Sequence, residues 1–106
     1  MVDFYSFEWD EDKNHANKLK HGIDFESAVY VFDDPYRIER FDTSAHNDLS
    51  EDRWQTIGKV GEILFVVYTE RKNNIRLISA RLATAAERRT YYGYGNEEIN
   101  GWTKAD

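Results

Sequence analysis

The chain has 106 residues, a length that fits one domain with a single hydrophobic core. It contains no cysteine, which excludes disulfides, thiolate metal sites and a cysteine nucleophile, and which fits a reducing cytoplasm. No apolar run approaches the roughly 20 residues of a membrane-spanning helix, and the first residues show no signal peptide. We therefore expect a soluble, cytoplasmic protein with no membrane partner.

The net charge of -6 is distributed unevenly along the chain. Residues 1–52 include 14 acidic and 5 basic residues, whereas residues 53–106 include 6 acidic and 9 basic residues. Six of these bases lie within residues 71–89. The sequence thus predicts a basic end that can meet phosphate and an acidic end that repels phosphate or meets a basic partner. Ordinary scatter of charge explains the same numbers equally well.

The first third of the chain predicts a strand and two helices. Residues 4–9 are aromatic-rich and partly alternating, as in a short strand. Asp10 is a suitable N-cap for a helix that ends at Gly22, after basic residues in its last turn. A second helix has apolar residues at positions 25, 28, 29 and 32, and Pro35 stops it. The pair of helices is acidic, which disfavours a DNA-reading helix-turn-helix.

The remainder predicts mainly strands, at residues 36–42, 53–60, 63–69 and 75–82. Thr84 and Glu87 have the spacing of a capping box, which opens a last helix toward Tyr92. The resulting order, β-α-α-β-β-β-β-α, predicts an α+β domain with a mostly antiparallel sheet. We assign residues 1–92 to this domain and residues 93–106 to a tail that is either flexible or docked on a partner.

Motifs for metals, nucleotides and serine nucleophiles are missing from the sequence. The histidines at positions 15, 21 and 46 lack the spacing of metal ligands, and no HExxH motif is present. The glycines form neither a GxGxxG nor a Walker pattern, and no GxSxG motif occurs. We therefore expect neither a metal nor another cofactor.

A cluster of arginines on adjoining predicted elements is the remaining candidate for chemistry. It consists of Arg71 at the end of one strand, Arg76 and Arg81 in the next strand, and Arg88 and Arg89 in the last helix. Guanidinium groups suit phosphate oxygens and stabilise the charge that develops when a ribose 2′-OH attacks phosphorus. Such a reaction also needs proton carriers, and Lys20, His21 and Tyr91 are available.

Structural roles explain the same residues as well. Arg76 and Arg81 are five positions apart, so a regular strand directs them to opposite faces unless a bulge or the strand end turns one back. Either arginine can also pair with an acidic residue of the first half. His21 is equally well explained as an ordinary C-terminal helix residue, and Tyr91 is of a type found more often in the core or at its rim.

Blocks of residues across positions 7–92 resemble, in the right order, the BrnT family of toxins. In the first half these blocks are Phe7-Glu8-Trp9-Asp10, Lys13, Asn17, Lys20-His21-Gly22-Ile23, Phe25, Ala28 and Val31-Phe32-Asp33-Asp34-Pro35. In the second half they are Arg53, Ile57-Gly58, Leu64-Phe65-Val66-Val67-Tyr68-Thr69-Glu70-Arg71, Ile75-Arg76-Leu77-Ile78-Ser79-Ala80-Arg81, Ala83-Thr84, Glu87-Arg88 and Tyr91. Each block is weak alone, but together they are specific.

The resemblance implies a RelE-like fold, with two N-terminal helices packed on the sheet and a C-terminal helix. It also implies a metal-independent endoribonuclease that inhibits translation, and a BrnA-like antitoxin partner with a ribbon-helix-helix domain. Operator DNA would be bound only through the complex with that antitoxin. The alternative is a degenerate, non-catalytic toxin module that binds an antitoxin or nucleic acid.

The resemblance also guides the choice of site residues. His21, Arg76 and Arg81 match the family's pattern, and together with Lys20 they are the predicted catalytic residues. The predicted RNA contacts are Arg53, Arg71, Arg88, Arg89 and Tyr91.

Overall fold

The structure of the protein is a computed structural model, which describes residues 6–43, 51–93 and 101–105. Its helices are α1 (Glu11–His21), α2 (Phe25–Ala28), which continues as a 3-10 helix (Val29–Asp33), and α3 (Ala85–Gly93). Its strands are β1 (Ser6–Glu8), β2 (Ile38–Phe41), β3 (Trp54–Val60), β4 (Glu62–Arg71), β5 (Asn74–Leu82) and β6 (Thr103–Lys104). In this part of the chain no helix is long and apolar enough to cross a membrane.

The described strands form one sheet in the order β1-β5-β4-β3-β2-β6. β1 runs parallel to β5, and the other neighbouring strands are antiparallel. Gly61 makes the tight turn between β3 and β4 with a φ of 70°, a left-handed conformation that favours glycine. The predicted α+β domain with a mostly antiparallel sheet is therefore confirmed.

The end of the predicted tail is part of the sheet. Trp102 is 3% exposed, and its ring packs edge-on against Phe65 with 6.4 Å between ring centroids. The Arg40 guanidinium stacks on the Trp102 ring at 4.4 Å from its centroid. The next two residues, as β6, pair with β2. Residues 94–100 of the tail lie outside the described residues, and so do residues 44–50, which include His46.

The sheet has two faces, and β4 contributes alternate residues to both. Its back face, which includes Leu64, Val66 and Tyr68, packs against α2 and the 3-10 helix. Its front face, which includes Ile63 and Phe65, packs against Trp102 and against Tyr91 of α3. Side chains alternate across a strand, so each face has its own core.

The helix over the back face departs from the predicted spacing in its second half. We predicted a stripe that includes Val29, but Val29 is only partly buried, whereas Val31 is fully buried. The reason is the switch to a 3-10 helix, which repeats every three residues and therefore aligns Val31 with Phe25 and Ala28.

Helix α1 begins and ends as its capping residues predict. The Asp10 carboxylate accepts hydrogen bonds from the backbone N–H groups of Asp12 and Lys13 at 2.8 and 3.2 Å. Gly22 ends the helix in the left-handed conformation with a φ of 75°. The helix is mostly polar, and Asn17, its one buried residue, bonds to β5. This bond holds α1 along β5, beyond the point at which β1 ends.

Candidate active site

A β-bulge determines which way the two predicted arginines of β5 point. The register of β4 against β5 shifts between Val67 and Tyr68, which leaves Ile78 as an extra residue in β5. One extra residue reverses the alternation of side chains, so Arg76 and Arg81 lie on the same face although they are five positions apart. That face is the front face, since Arg81 is opposite Phe65 and its guanidinium stacks on the Phe65 ring.

The two arginines nevertheless do not gather at one point. Four regular strand positions of roughly 3.3 Å each separate Arg76 from Arg81 by about 13 Å along β5. Their guanidinium groups bind different carboxylates, Glu8 and Glu87 respectively. The candidate site therefore has two ends, which differ in how much of each guanidinium remains available.

At the Arg76 end, one carboxylate lies between two guanidinium groups. Glu8 is the register partner of Arg76 in the parallel β1–β5 pair. Its Oε2 accepts hydrogen bonds from Nη1 of Arg76 at 3.0 Å and from Nη1 of Arg71 at 3.2 Å, and its Oε1 accepts one from the Asn74 amide at 3.3 Å. The side chains of Arg76 and Glu8 are 31% and 33% exposed, so this group, the Glu8 cluster, is open to solvent.

Arg71 belongs to the Glu8 cluster and extends it outward. Its Nε donates a hydrogen bond to the carboxylate of Glu51, and this bond raises the pKa of the Arg71 guanidinium above its ordinary value. The Arg71 side chain is 44% exposed, a higher value than those of Arg76 and Arg81. It is therefore a charged, solvent-facing group at the end of β4.

At the Arg81 end, the guanidinium is held by two parallel hydrogen bonds. Its Nη1 and Nη2 donate to the two carboxylate oxygens of Glu87 at 2.8 and 2.9 Å, and Nη1 also donates to the carbonyl of Leu82. The Phe65 ring lies beneath it, 4.1 Å from the guanidinium carbon to the ring centroid. Arg81 therefore has few donors left for a ligand.

Glu87 links Arg81 to the start of α3. The predicted capping box is present: the Thr84 N–H donates to Glu87 Oε1 at 2.8 Å, and the Glu87 N–H donates to Thr84 Oγ1 at 3.1 Å. Burial raises the pKa of Glu87, but the hydrogen bonds from Arg81 and Thr84 outweigh burial and leave the pKa below its usual value. Glu87 is thus the shared anchor of the helix cap and of Arg81.

The predicted proton carriers lie at the end of α1. His21 is partly buried and Lys20 is exposed. Because His21 follows Asn17 by four residues, it lies on the same side of α1, one turn beyond the contact of Asn17 with Ala80. His21 is thus nearer the Arg81 end of β5. No hydrogen bond joins His21 to either β5 arginine in the described part of the chain.

The predicted RNA contacts are spread over several elements. Arg88 and Arg89 are exposed on α3, where Arg88 also donates a hydrogen bond to the carbonyl of Ala83 at 3.0 Å. Arg53 is partly buried just before β3. With Arg71 at the end of β4, these residues come from three different elements, and their contact with RNA remains a prediction.

Tyr91 occupies a buried position. It is 8% exposed, and its hydroxyl donates a 2.6 Å hydrogen bond to the Asp34 carboxylate. Burial, together with that hydrogen bond, raises the pKa of Tyr91 well above its ordinary value. A phenol held in this way is a poor proton donor for chemistry, and its contacts are those of a packing residue between α3 and the end of the 3-10 helix.

A further polar group lies on the back face and was not predicted. A cavity of about 130 Å³ is lined by Arg37, Glu39, Tyr68 and Glu70, among others. Glu39 accepts hydrogen bonds from Arg37 Nη1 at 3.3 Å and from the Tyr68 hydroxyl at 3.1 Å. With two carboxylates against one guanidinium, this cavity suits RNA phosphates less well than the front face.

The structure also identifies the residues that the sequence analysis missed. Glu8 was recognised only as part of a family block, because the register between β1 and β5 has no local sequence signal. Glu87 was predicted as a helix cap, but its bond to Arg81 was not predicted. In the ranges that the structure describes, no three histidine, aspartate or glutamate side chains are grouped as they would be around a metal ion.

Comparison with known proteins places the chain in a family. Residues 9–87 match the family model described as "Ribonuclease toxin, BrnT, of type II toxin-antitoxin system". The fold is similar to the crystal structure of the Brucella abortus ribonuclease toxin BrnT, with a TM-score of 0.55 and 22% sequence identity. That similarity covers 76% of this chain and 97% of the Brucella chain. No curated protein matches the sequence. The chain belongs to the BrnT family of ribonuclease toxins of type II toxin–antitoxin systems.

Proposed function

We propose that this protein is a metal-independent endoribonuclease with a RelE-like fold, which cleaves RNA through attack of the ribose 2′-OH and so inhibits translation in the cytoplasm. The observation that carries the proposal is the bulge at Ile78, which turns Arg76 and Arg81 to the same face. Each side chain remains about one-third exposed there. RNA laid along β5 would therefore meet the Arg76 guanidinium directly, with the Arg81–Glu87 pair and α3 beside it.

The two arginines have different roles in this proposal. Arg76 donates one N–H to Glu8, and Nε and Nη2 are the donors that would hold the phosphate. Arg81 is bound to Glu87 and instead holds α3, from which Arg88 and Arg89 extend toward the RNA backbone. His21 or Lys20, which lie nearer the Arg81 end, would carry protons between solvent and the site.

The remaining predicted contacts belong to the periphery of the site. Arg71 and Arg53 would bind phosphates beside the reacting one. Tyr91 would act through α3, because its hydroxyl is engaged by Asp34. Each of these roles rests on charge and exposure.

The family implies an antitoxin partner, and we propose that it is BrnA-like, with a ribbon-helix-helix domain. The acidic first half of this chain supports the proposal that the antitoxin contacts DNA, because negative charge disfavours direct contact of that half with DNA. The first turn of α1, with Glu11 and Asp12, belongs to this acidic region. Operator DNA would then be bound only through the complex.

The test is incubation of the purified protein with RNA in EDTA. We expect cleavage products that end in 2′,3′-cyclic phosphate, and a loss of about 100-fold or more in rate for Arg76→Ala, the scale for removal of one transition-state donor. Arg81→Ala should lose activity to the extent that α3 is displaced. Lys18→Ala, an exposed change on α1, is the matched control and should cleave normally. RNA that stays intact at high protein concentration would instead favour the non-catalytic binding module.

A further inference from the structure

We propose that Glu8 is the general base that removes the proton from the attacking 2′-OH. This inference rests on the proposed ribonuclease function, and it assigns a role to a residue that lies outside the predicted arginine and histidine set. Glu8 is on β1, opposite Arg76, and its carboxylate faces the same front side of the sheet.

The geometry of Arg76 carries the argument. A guanidinium group has five N–H donors in a planar fork, and Glu8 occupies only Nη1. A phosphate bound to Nε and Nη2 would lie on the neighbouring edge of the same plane. Arg76 would then hold the phosphate and the Glu8 carboxylate side by side. A base that removes the proton from the 2′-OH of the same nucleotide must lie in this position beside the phosphate.

The surroundings of Glu8 orient its carboxylate and leave it accessible to substrate. The groups that face it are the guanidinium groups of Arg71 and Arg76 and the amide of Asn74, and all three donate hydrogen bonds to its oxygens. They fix the orientation of the carboxylate. Its side chain is still 33% exposed, so the oxygens can be reached from the front face.

The other candidates are less well placed for this role. Glu87 uses both carboxylate oxygens on Arg81 and one of them also on the Thr84 N–H. His21 is on α1, one turn beyond the contact of Asn17 with Ala80, so it is nearer Arg81 than Arg76 and farther than Glu8 from a phosphate bound to Arg76. Glu8 is therefore the carboxylate that the fold brings to the more available arginine.

The proposed step is a transesterification without a redox partner. The 2′ oxygen forms a bond to phosphorus as its proton passes to a Glu8 carboxylate oxygen. The bond from phosphorus to the 5′ oxygen breaks, and that oxygen takes a proton from solvent. The products are a 2′,3′-cyclic phosphate and a free 5′-OH, and Glu8 then releases its proton to water.

The experiment measures the pH dependence of cleavage of a DNA oligonucleotide that contains a single ribonucleotide, and therefore a single 2′-OH. We expect Glu8→Gln to lower kcat about 100-fold or more, the usual contribution of a general base, with little change in KM. The acidic limb of the pH–rate profile should disappear with the carboxylate. Glu8→Asp, which keeps a carboxylate, should retain the limb and part of the rate. Formate should partly restore cleavage by Glu8→Ala.

The matched control is Glu51→Gln, because Glu51 binds the same Arg71 guanidinium from its Nε side. It should keep the acidic limb and a near-normal rate. Wild-type cleavage combined with an unchanged acidic limb in Glu8→Gln would overturn the assignment of the base and leave the ribonuclease function standing. No cleavage by the wild type would overturn both. Thermal melting of each variant shows whether it is folded.

Discussion

The side-chain amide of Asn17 takes the place of a neighbouring strand at Ala80. Its Nδ2 donates to the Ala80 carbonyl at 2.8 Å, and its Oδ1 accepts from the Ala80 N–H at 3.1 Å. The same Nδ2 also donates to the carbonyl of Ile23 at 2.9 Å. β1 pairs with β5 only as far as Arg76, so this amide satisfies backbone groups on β5 that would otherwise be buried without partners.

Replacing Asn17 by alanine should therefore be costly. The change leaves one N–H and two carbonyl groups without these partners. We therefore expect the free energy of unfolding to fall by about 2–4 kcal/mol. Urea unfolding at pH 7 measures this difference. Lys18→Ala, one position further on the exposed side of α1, is the control and should change stability by less than about 0.5 kcal/mol. Equal stability of the two variants would contradict this role for the amide.

The elements of the fold were predictable where their signals are local. Asp10 and Gly22 cap α1, Thr84 and Glu87 cap α3, and the glycine turn at Gly61 separates β3 from β4. Each signal acts within a few residues of the chain. By contrast, β6 depends on burial of Trp102 against a distant strand, and nothing in the residues around it indicates that pairing.

The site was predictable in residue type but not in arrangement. The sequence shows the cluster of arginines. Strand geometry also shows that Arg76 and Arg81 can share a face of the sheet only if a bulge or the strand end turns one of them back. The bulge at Ile78 contains no glycine, so no local signal marked it. The pairing of Arg76 with Glu8 follows from a parallel register across 68 residues, which only the complete sheet determines.

The bond between Arg81 and Glu87 should make stability depend on pH in the acid range. The pKa of Glu87 is lowered from its ordinary value of 4.5, so the folded state holds this carboxylate ionised more strongly than the unfolded state does. The resulting stability is present above pH 4.5 and is lost as the pH falls through the lower, folded-state pKa. We expect Arg81→Ala to be less stable than wild type by about 1 kcal/mol at pH 7, because both side chains are partly exposed.

That difference should shrink as the pH falls below 4.5. Urea unfolding of both proteins at pH 7 and at several acidic pH values measures it. Glu87→Gln removes the same carboxylate, so the double variant with Arg81→Ala should show little further loss at pH 7. A difference that is equal at every pH would mean that packing on Phe65, rather than the ion pair, accounts for the effect.

Tyr91 should prove to be a structural residue. Tyr91→Phe removes the hydroxyl that donates to Asp34, and leaves that carboxylate with the backbone N–H groups of Lys59 and Tyr36. We expect a loss of about 1–2 kcal/mol in stability, within the range for hydrogen bonds to charged groups. RNA affinity, measured by fluorescence anisotropy at low salt, should stay within about twofold of wild type. Tyr92→Phe, at an exposed position, is the stability control. A selective loss of RNA affinity in Tyr91→Phe would restore Tyr91 to the binding surface.

Gly58 permits the close approach of the 3-10 helix to β3. A Cβ atom at this position would lie 2.4 Å from the Cγ2 of Val31 and 3.1 Å from the Val31 carbonyl oxygen. Val31 is fully buried in the core cluster of the back face, so it can move only by displacing its neighbours. We expect Gly58→Ala to destabilise the fold by about 1–3 kcal/mol, the usual cost of overpacking a core. Gly93→Ala is the control, because a Cβ there meets no atom within 4 Å. If urea unfolding shows the two variants to be equally stable, then the helix and β3 can separate without cost, and the contact at Val31 does not hold them in place.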